Sequence, residues 1–329
     1  MVDAWMVALT VVAGIVAVFT PIPGNIFVAW RWAIKCAFFL VTCKDVKKPK
    51  TPPAPLKRTR NRRVRVVFIR HGESIWNALF NRFGVAWPFR AVRYLIEGAL
   101  LFVGNRHDSV IIDSPLSPKG EQQAAELATF VKSPSGRNAI PFDAQSSVVV
   151  SSNLRRAMGT ALAGLDARLR ANRGEKITID SSLQEGSRNA DAQSFMVAKY
   201  RLVDSPVLGY QSAVELGQVF DPSLSLGNKS RSSNVYQRMD AFAARVFGEG
   251  PDGHPTLPGG SPSTVIAVGH SLWFRNFFGR YLPASSQHIA KKKKMKNCAV
   301  VSFDLVVDGN GAISVDESSI VANHLGFAS

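Results

Sequence analysis

The chain reads as an α/β protein: a three-layer αβα sandwich with a mostly parallel central sheet, preceded by an N-terminal hydrophobic membrane-anchor segment. Three observations predict this. From residue 64 onward, short apolar runs alternate with longer helix-like stretches. Polar and charged residues collect where the apolar runs stop, and residues 4–20 carry no charge at all. Strands buried on both faces read as continuous apolar runs, which is the mark of a parallel sheet covered by helices on either side.

The N-terminal segment comes first. AWMVALTVVAGIVAVFT (4–20) is 17 residues long. At about 1.5 Å per residue a helix of that length spans roughly 25 Å, a little under the ~30 Å hydrocarbon layer. Pro21-Ile22-Pro23-Gly24-Asn25 breaks the run, and a second apolar stretch, 26–43, is interrupted only by Arg31 and Lys35. Those cations are four apart, so a helix puts them on one face, from which they can reach headgroups. A cleaved signal peptide opens with positive charge, whereas this segment has Asp3 and no Lys or Arg before Arg31. Residues 1–43 are therefore expected as a retained membrane anchor, a single span or a hairpin, with membrane lipids as partners. Residues 44–63, KDVKKPKTPPAPLKRTRNRR, are expected as a basic Pro-rich linker. Residues 64–329 are expected as the catalytic domain, on the cytosolic side by the positive-inside tendency.

Charge supports that division. The net charge is +16, yet residues 1–65 hold twelve Lys or Arg against Asp3 and Asp45, so +10 of it precedes the main body. An anionic partner is expected. Nucleic acid is not, because the basic excess lies mostly outside the body. Three cysteines, Cys36, Cys43 and Cys298, make no disulfide framework and fit a reducing compartment.

Strands are expected at 64–69, 147–151, 177–180, 264–269 and 299–306, and helices near 119–132, 154–171, 235–247 and 271–281. Two insertions interrupt the rhythm. VAWPFRAVRYLIEGALLFVG (85–104) is aromatic and aliphatic with a polar side, and residues 248–264 are rich in Gly and Pro.

In a parallel sheet, ligands gather at the carboxyl ends of the strands. Four polar groups fall there: Arg70-His71-Gly72 after the first strand, SSNLRRA (151–157) after the second, Leu183-Gln184-Glu185-Gly186 after the third, and Gly269-His270-Ser271 after the fourth. Guanidinium forks match phosphoryl oxygens, a neutral imidazole is an available nucleophile, and helix N-termini offer amide donors to an anion. Gly72 is expected to leave room for the anion beside the backbone.

These pieces, FIRHGESIWN, LSPKGEQQA (116–124), SSNLRRAMGTA (151–161), LQEG and VGHS, resemble the histidine phosphatase superfamily, the group that includes phosphoglycerate mutases, in the family's order. The resemblance implies a metal-independent phosphomonoester hydrolase without cofactor, working on a phosphorylated small molecule, lipid headgroup or phosphoprotein. By that resemblance His71 attacks phosphorus and becomes a phosphohistidine, and Glu185 is the general acid and then the base. Arg70, Arg156 and His270 hold the phosphoryl group, and Asn77 touches a phosphate oxygen. Arg156 takes this role over Arg155 because it directly precedes Ala157 in the motif.

Three other readings remain open at this stage. A phosphoglycerate mutase-type phosphotransferase needs extra cations in a closed lid, and the segment after Glu185 offers only Arg188. A serine hydrolase is hinted at by GHSLW (269–273), followed by Asp304, Asp308 and His324, but Trp273 stands where the sharp turn needs glycine. A non-catalytic membrane-tethered binding module is the third. The run AKKKKMK (290–296) is a candidate basic collar for a multiply anionic substrate.

Overall fold

A computed structural model describes residues 34–80, 87–89, 91–93, 96, 109–141, 143–195, 197–203, 213–250, 256–260 and 262–328. In chain order its elements are β1 (Arg62–Arg70), α1 (Ile75–Phe80), α2 (Pro118–Lys132), α3 (Pro134–Ala139), β2 (Ser147–Ser151), α4 (Arg155–Gly164), α5 (Asp166–Ala171), β3 (Ile177–Asp180), the short pair β4 (Val197–Ala198) and β5 (Arg201–Leu202), α6 (Ala213–Val219), β6 (Phe220–Leu224), α7 (Val235–Val246), β7 (Thr264–Gly269), α8 (Ser271–Tyr281), β8 (Val300–Val307) and β9 (Ile313–His324).

Seven strands form one sheet in the order β6-β3-β2-β7-β1-β8-β9. The first five run parallel to their neighbours, and β8 and β9 close one edge antiparallel. Strand β1 shows how the sequence builds two cores at once. Side chains alternate across a strand. Val64, Val66 and Phe68 enter a cluster with Phe242 of α7 and Trp273, Phe274, Phe277 and Phe278 of α8. Val67 and Ile69 point the other way, among Leu127 and Val131 of α2 and Ala157 and Ala161 of α4. The α/β class with a mostly parallel sheet is therefore correct, with helices on both faces.

Local signals place the helices well. Ser117 caps α2, its hydroxyl accepting from Gly120 N at 3.1 Å, and Pro118 occupies the first turn, where a missing N–H costs nothing. The expected helix 154–171 is two helices, α4 and α5, broken at Leu165. Strands β6 and β9 were not expected. In the 85–104 insertion, residues 87–89, 91–93 and 96 are helical, with Phe89, Val92 and Ile96 exposed.

The expected anchor lies largely in residues 1–33, outside the described residues. Among the described residues no helix is long and apolar enough to cross a membrane. Residues 34–42 form a helix with Phe39 buried, while Ile34, Phe38 and Val41 are exposed. The segment expected as a linker is sewn to the body. Leu56 joins the core cluster of α7 and α8, and its N–H donates to Gly311 O at 2.8 Å. The amides of Lys57, Arg58 and Thr59 all donate to the Glu249 carboxylate. Prolines rule out a regular helix here, as the sequence says, yet an extended strap still finds side-chain acceptors for its N–H groups.

Candidate active site

Because β2, β7 and β1 are adjacent in the sheet, their carboxyl ends bring three distant stretches together. His71 follows β1, Ser152 to Arg156 follow β2, and His270 follows β7. Hydrogen bonds across these ends hold the backbone: His71 N donates to Gly269 O at 3.0 Å and Ser152 N to Val268 O at 2.9 Å. Asn297 Nδ2 donates to His71 O at 3.0 Å from the far side.

The His71 ring is buried, and its Nδ1 lies 2.5 Å from Gly72 O. A carbonyl oxygen can only accept, so Nδ1 carries the proton and Nε2 keeps its lone pair. Arg156 Nε donates to that Nε2 at 3.3 Å. The His270 ring stands 5.0 Å from the His71 ring, centroid to centroid, with its Nε2 2.8 Å from Ser152 Oγ. Burial first, and then the positive charge of Arg156, push both imidazoles well below their usual pKa, so both are neutral near pH 7.

Arg156 is anchored as well as aimed. Its Nη1 donates to Asp191 O at 2.6 Å and its Nη2 lies 3.4 Å from Asp191 Oδ2. Arg70 Nη1 donates to Met295 O at 2.6 Å, while its Nε is buried without a partner among the described residues. Burial lowers the Arg70 guanidinium to about 10, which leaves it charged at neutral pH. Glu185 is buried, and its Oε1 accepts from Trp273 N at 3.1 Å and Gly186 N at 3.0 Å. Burial raises its pKa, against the opposing pull of Arg156 and Lys229. The His270 Nδ1 and Asp191 Oδ1 atoms are also buried without partners among the described residues.

Five of the six residues singled out in the sequence thus come together: His71 meets Arg156 and His270 by contact, and the charge of Arg156 reaches both Arg70 and Glu185. Asn77 is engaged elsewhere, its Oδ1 accepting from Ser74 Oγ at 3.0 Å at the start of α1. Gly72 is glycine for a reason other than ligand access. A Cβ there would lie 2.6 Å from Gly120 O, so it is α2 that the missing side chain admits. Arg155, beside Arg156, turns away to bond the carbonyls of Ser109, Ile112 and Asp113.

Sequence reasoning missed Asp191, which steadies Arg156, Ser152, which holds His270, and Lys229, whose Nζ donates to Glu185 O at 2.6 Å. Ser152 lies within the SSNLRRA stretch without being singled out there, and Asp191 and Lys229 carry no local motif. Of the basic run, Met295 and Asn297 alongside it serve the site through Arg70 and His71, whereas Lys291 caps its own turn on Pro283, Ala284 and Ser286 carbonyls. The serine-hydrolase partners are occupied: Asp304 pairs with Arg63 and Arg65, Asp308 caps a turn at Asn310, and His324 stacks on Phe130. Trp273 fills the core instead of a sharp turn.

The model of the histidine phosphatase superfamily (branch 1) matches residues 105–192. No curated protein matches the chain. Among solved structures, a mycobacterial glucosyl-3-phosphoglycerate phosphatase is 16% identical, covering 80% of this chain and 100% of its own, with a TM-score of 0.40. A phosphoglycerate mutase from Bacillus anthracis str. Sterne is 17% identical over 79% of this chain and 94% of its own, with a TM-score of 0.39. An ecdysone phosphate phosphatase from Bombix mori is 18% identical over 78% and 96%, with a TM-score of 0.42. Likenesses this distant carry no argument about chemistry, which rests on the site itself.

Proposed function

We propose that this chain, as a member of the histidine phosphatase superfamily, is a phosphomonoester hydrolase working through a phosphohistidine on His71. The observation that carries this is the direction of one hydrogen bond. With Nδ1–H given to Gly72 O, the His71 lone pair sits on Nε2, beside the Arg156 guanidinium.

In the first step Nε2 attacks phosphorus, the N–P bond forms and the ester P–O bond breaks. The departing alkoxide takes the proton of Glu185, whose raised pKa favours the protonated form that this step needs. Arg70, Arg156 and His270 balance the charge on the phosphoryl oxygens as they pass through the transition state. In the second step the Glu185 carboxylate takes a proton from water, the water oxygen attacks phosphorus, and the N–P electron pair returns to Nε2. Inorganic phosphate leaves. No step calls for a metal. The substrate is any phosphomonoester that the surface beyond this rim admits.

The test is phosphate release from an aryl phosphate, with acid-labile, base-stable labelling of His71 as the second readout. Turnover with such labelling is expected; release of phosphate without any label on His71 overturns the mechanism.

The proposal includes a membrane tether through residues 1–43, with the catalytic body in the cytosol. Its support is the uncharged run 4–20 followed by the basic segment 44–63. Full-length protein is expected in the high-speed pellet, and finding all of it in the supernatant would refute the tether.

A further inference from the structure

One charged side chain from the strap ahead of the sheet is buried completely inside the body. Asp45 has no exposed surface. Its Oδ1 accepts from Arg238 Nη1 at 2.5 Å, and its Oδ2 from Lys229 Nζ at 3.0 Å and Arg238 Nη2 at 3.2 Å. Its backbone is fixed too: Asp45 O accepts from Val235 N at 2.9 Å, and Asp45 N donates to Cys43 Sγ at 3.3 Å.

The two cations that Asp45 neutralises reach beyond it to the loop that bears the acid. Lys229 Nζ donates to Glu185 O and to Ser187 O, and Arg238 Nη2 donates to Gln184 O at 3.1 Å. Three of the four carbonyls from 184 to 187 are therefore gripped by groups whose charge Asp45 balances. Without it, the fully buried Lys229 would lie beside Arg238 with no carboxylate hydrogen-bonded between them, and a buried cation in that state moves toward water or sheds a proton. Either outcome removes donors from the carbonyls on both sides of Glu185. The Glu185 carboxyl is aimed by Trp273 N and Gly186 N, and these bonds depend on the same stretch of backbone.

We propose that Asp45 is a positioning residue for the catalytic acid: from the strap that joins the apolar N-terminus to the sheet, it holds Lys229 and Arg238 against the Glu185 loop and so sets where Glu185 meets the leaving group. This rests on the hydrolase reading above. The phosphate-holding groups His71, Arg156 and His270 stand on the ends of β1, β2 and β7, which Asp45 does not touch. Its effect should therefore fall on leaving-group departure and spare phosphate binding.

The experiment compares full-length wild type, Asp45→Asn and Asp45→Glu on two esters, p-nitrophenyl phosphate with a good leaving group and a simple alkyl phosphate with a poor one. Hydrogen exchange at the amides of Gly186 and Ser187 is followed in parallel. For Asp45→Asn, kcat on the alkyl ester should fall on the order of tenfold to a hundredfold more than on the aryl ester, since a small misplacement of a catalytic group has costs of that size. KM should hold, and Asp45→Glu should recover part of the loss. Equal losses on both esters, or none, overturn the proposal. Should Asp45→Asn not fold, the leaving-group comparison is made on Asp45→Glu, whose smaller loss should still fall mainly on the alkyl ester, and equal losses there overturn the proposal. If the wild type cleaves neither ester, the hydrolase reading falls on its own; the contact is then judged by exchange, where faster exchange in Asp45→Asn sustains it and unchanged exchange rejects it.

Discussion

Two buried charge clusters share Glu185, and they differ in how completely they are paired. In the cluster under the strap, Lys229 gives its three protons to Asp45, Glu185 O and Ser187 O, both Asp45 oxygens accept, and Arg238 Nε alone is left without a partner among the described residues. In the cluster around His71, Arg70 Nε, His270 Nδ1 and Asp191 Oδ1 are buried with no partner among the described residues. Leaving a buried polar group unpaired costs about 1–3 kcal/mol each. More such groups are left over around His71 than under the strap, and the leftover Arg70 Nε–H is a donor that suits an anion, whereas the strap cluster spends nearly all its donors on the protein itself.

The sharpest way to break this comparison is to remove the nucleophile. His71→Ala should lower kcat on an aryl phosphate on the order of 10⁴-fold or more, the scale seen when a covalent catalyst is deleted. A variant with wild-type turnover would mean that the unpaired cluster is not a reaction centre. Glu185→Gln comes next. It keeps an acceptor oxygen for Trp273 N and removes the proton, so a loss of roughly 10²–10⁴-fold is expected, largest for poor leaving groups.

Neighbouring arginines give the cleanest internal control. Arg155 and Arg156 adjoin each other and are both buried, yet Arg155 bonds the backbone carbonyls of Ser109, Ile112 and Asp113 while Arg156 meets His71. Arg156→Ala should cost about 10²–10³-fold in kcat, as loss of one donor to a developing oxyanion does. Arg155→Ala should instead act on stability. It strands those carbonyls and removes the cation 4.0 Å from the buried Asp113 carboxylate, at about 3–5 kcal/mol, with a lowered Tm as the readout. Interchanged effects would show that the two arginines have been assigned the wrong way round.

How much of this was legible in the sequence follows from which interactions are local. Parallel strands buried on both faces leave continuous apolar runs, so β1, β2, β3 and β7 could be read almost to the residue. The site residues at strand ends fell in short motifs for the same reason, since each follows directly from a strand. The edge strands could not be read that way. β6 contains Pro222, and β9, ISVDESSIVANH, is largely polar because much of it faces solvent. Nor could Asp45 be read: its partner Lys229 is 184 residues away, and a lone acid in a Pro-rich basic stretch looks like a solvated charge. Gly72 was legible as a constraint, but its cause, the approach of Gly120, exists only once α2 is packed.

The smallest expected effect is in the pH profile, and it separates the neutral imidazoles from the acid. His71 must be neutral to attack, and burial holds it and His270 well below the usual histidine value of about 6.5. Activity should therefore be lost only as pH falls through that depressed value, for every substrate. Glu185 must be protonated to release an alkoxide, and burial raises it above the ordinary glutamate value of about 4.3. Activity should be lost as pH rises through that raised value, but only where the leaving group needs the proton. An alkyl phosphate should thus show an alkaline limb set by Glu185 in addition to the acid limb, and p-nitrophenyl phosphate a single acid limb with a plateau above it. Glu185→Gln should erase the alkaline limb and leave the acid one in place. Superimposable profiles for the two esters in the wild type would place proton donation on another group and uncouple Glu185 from the chemistry.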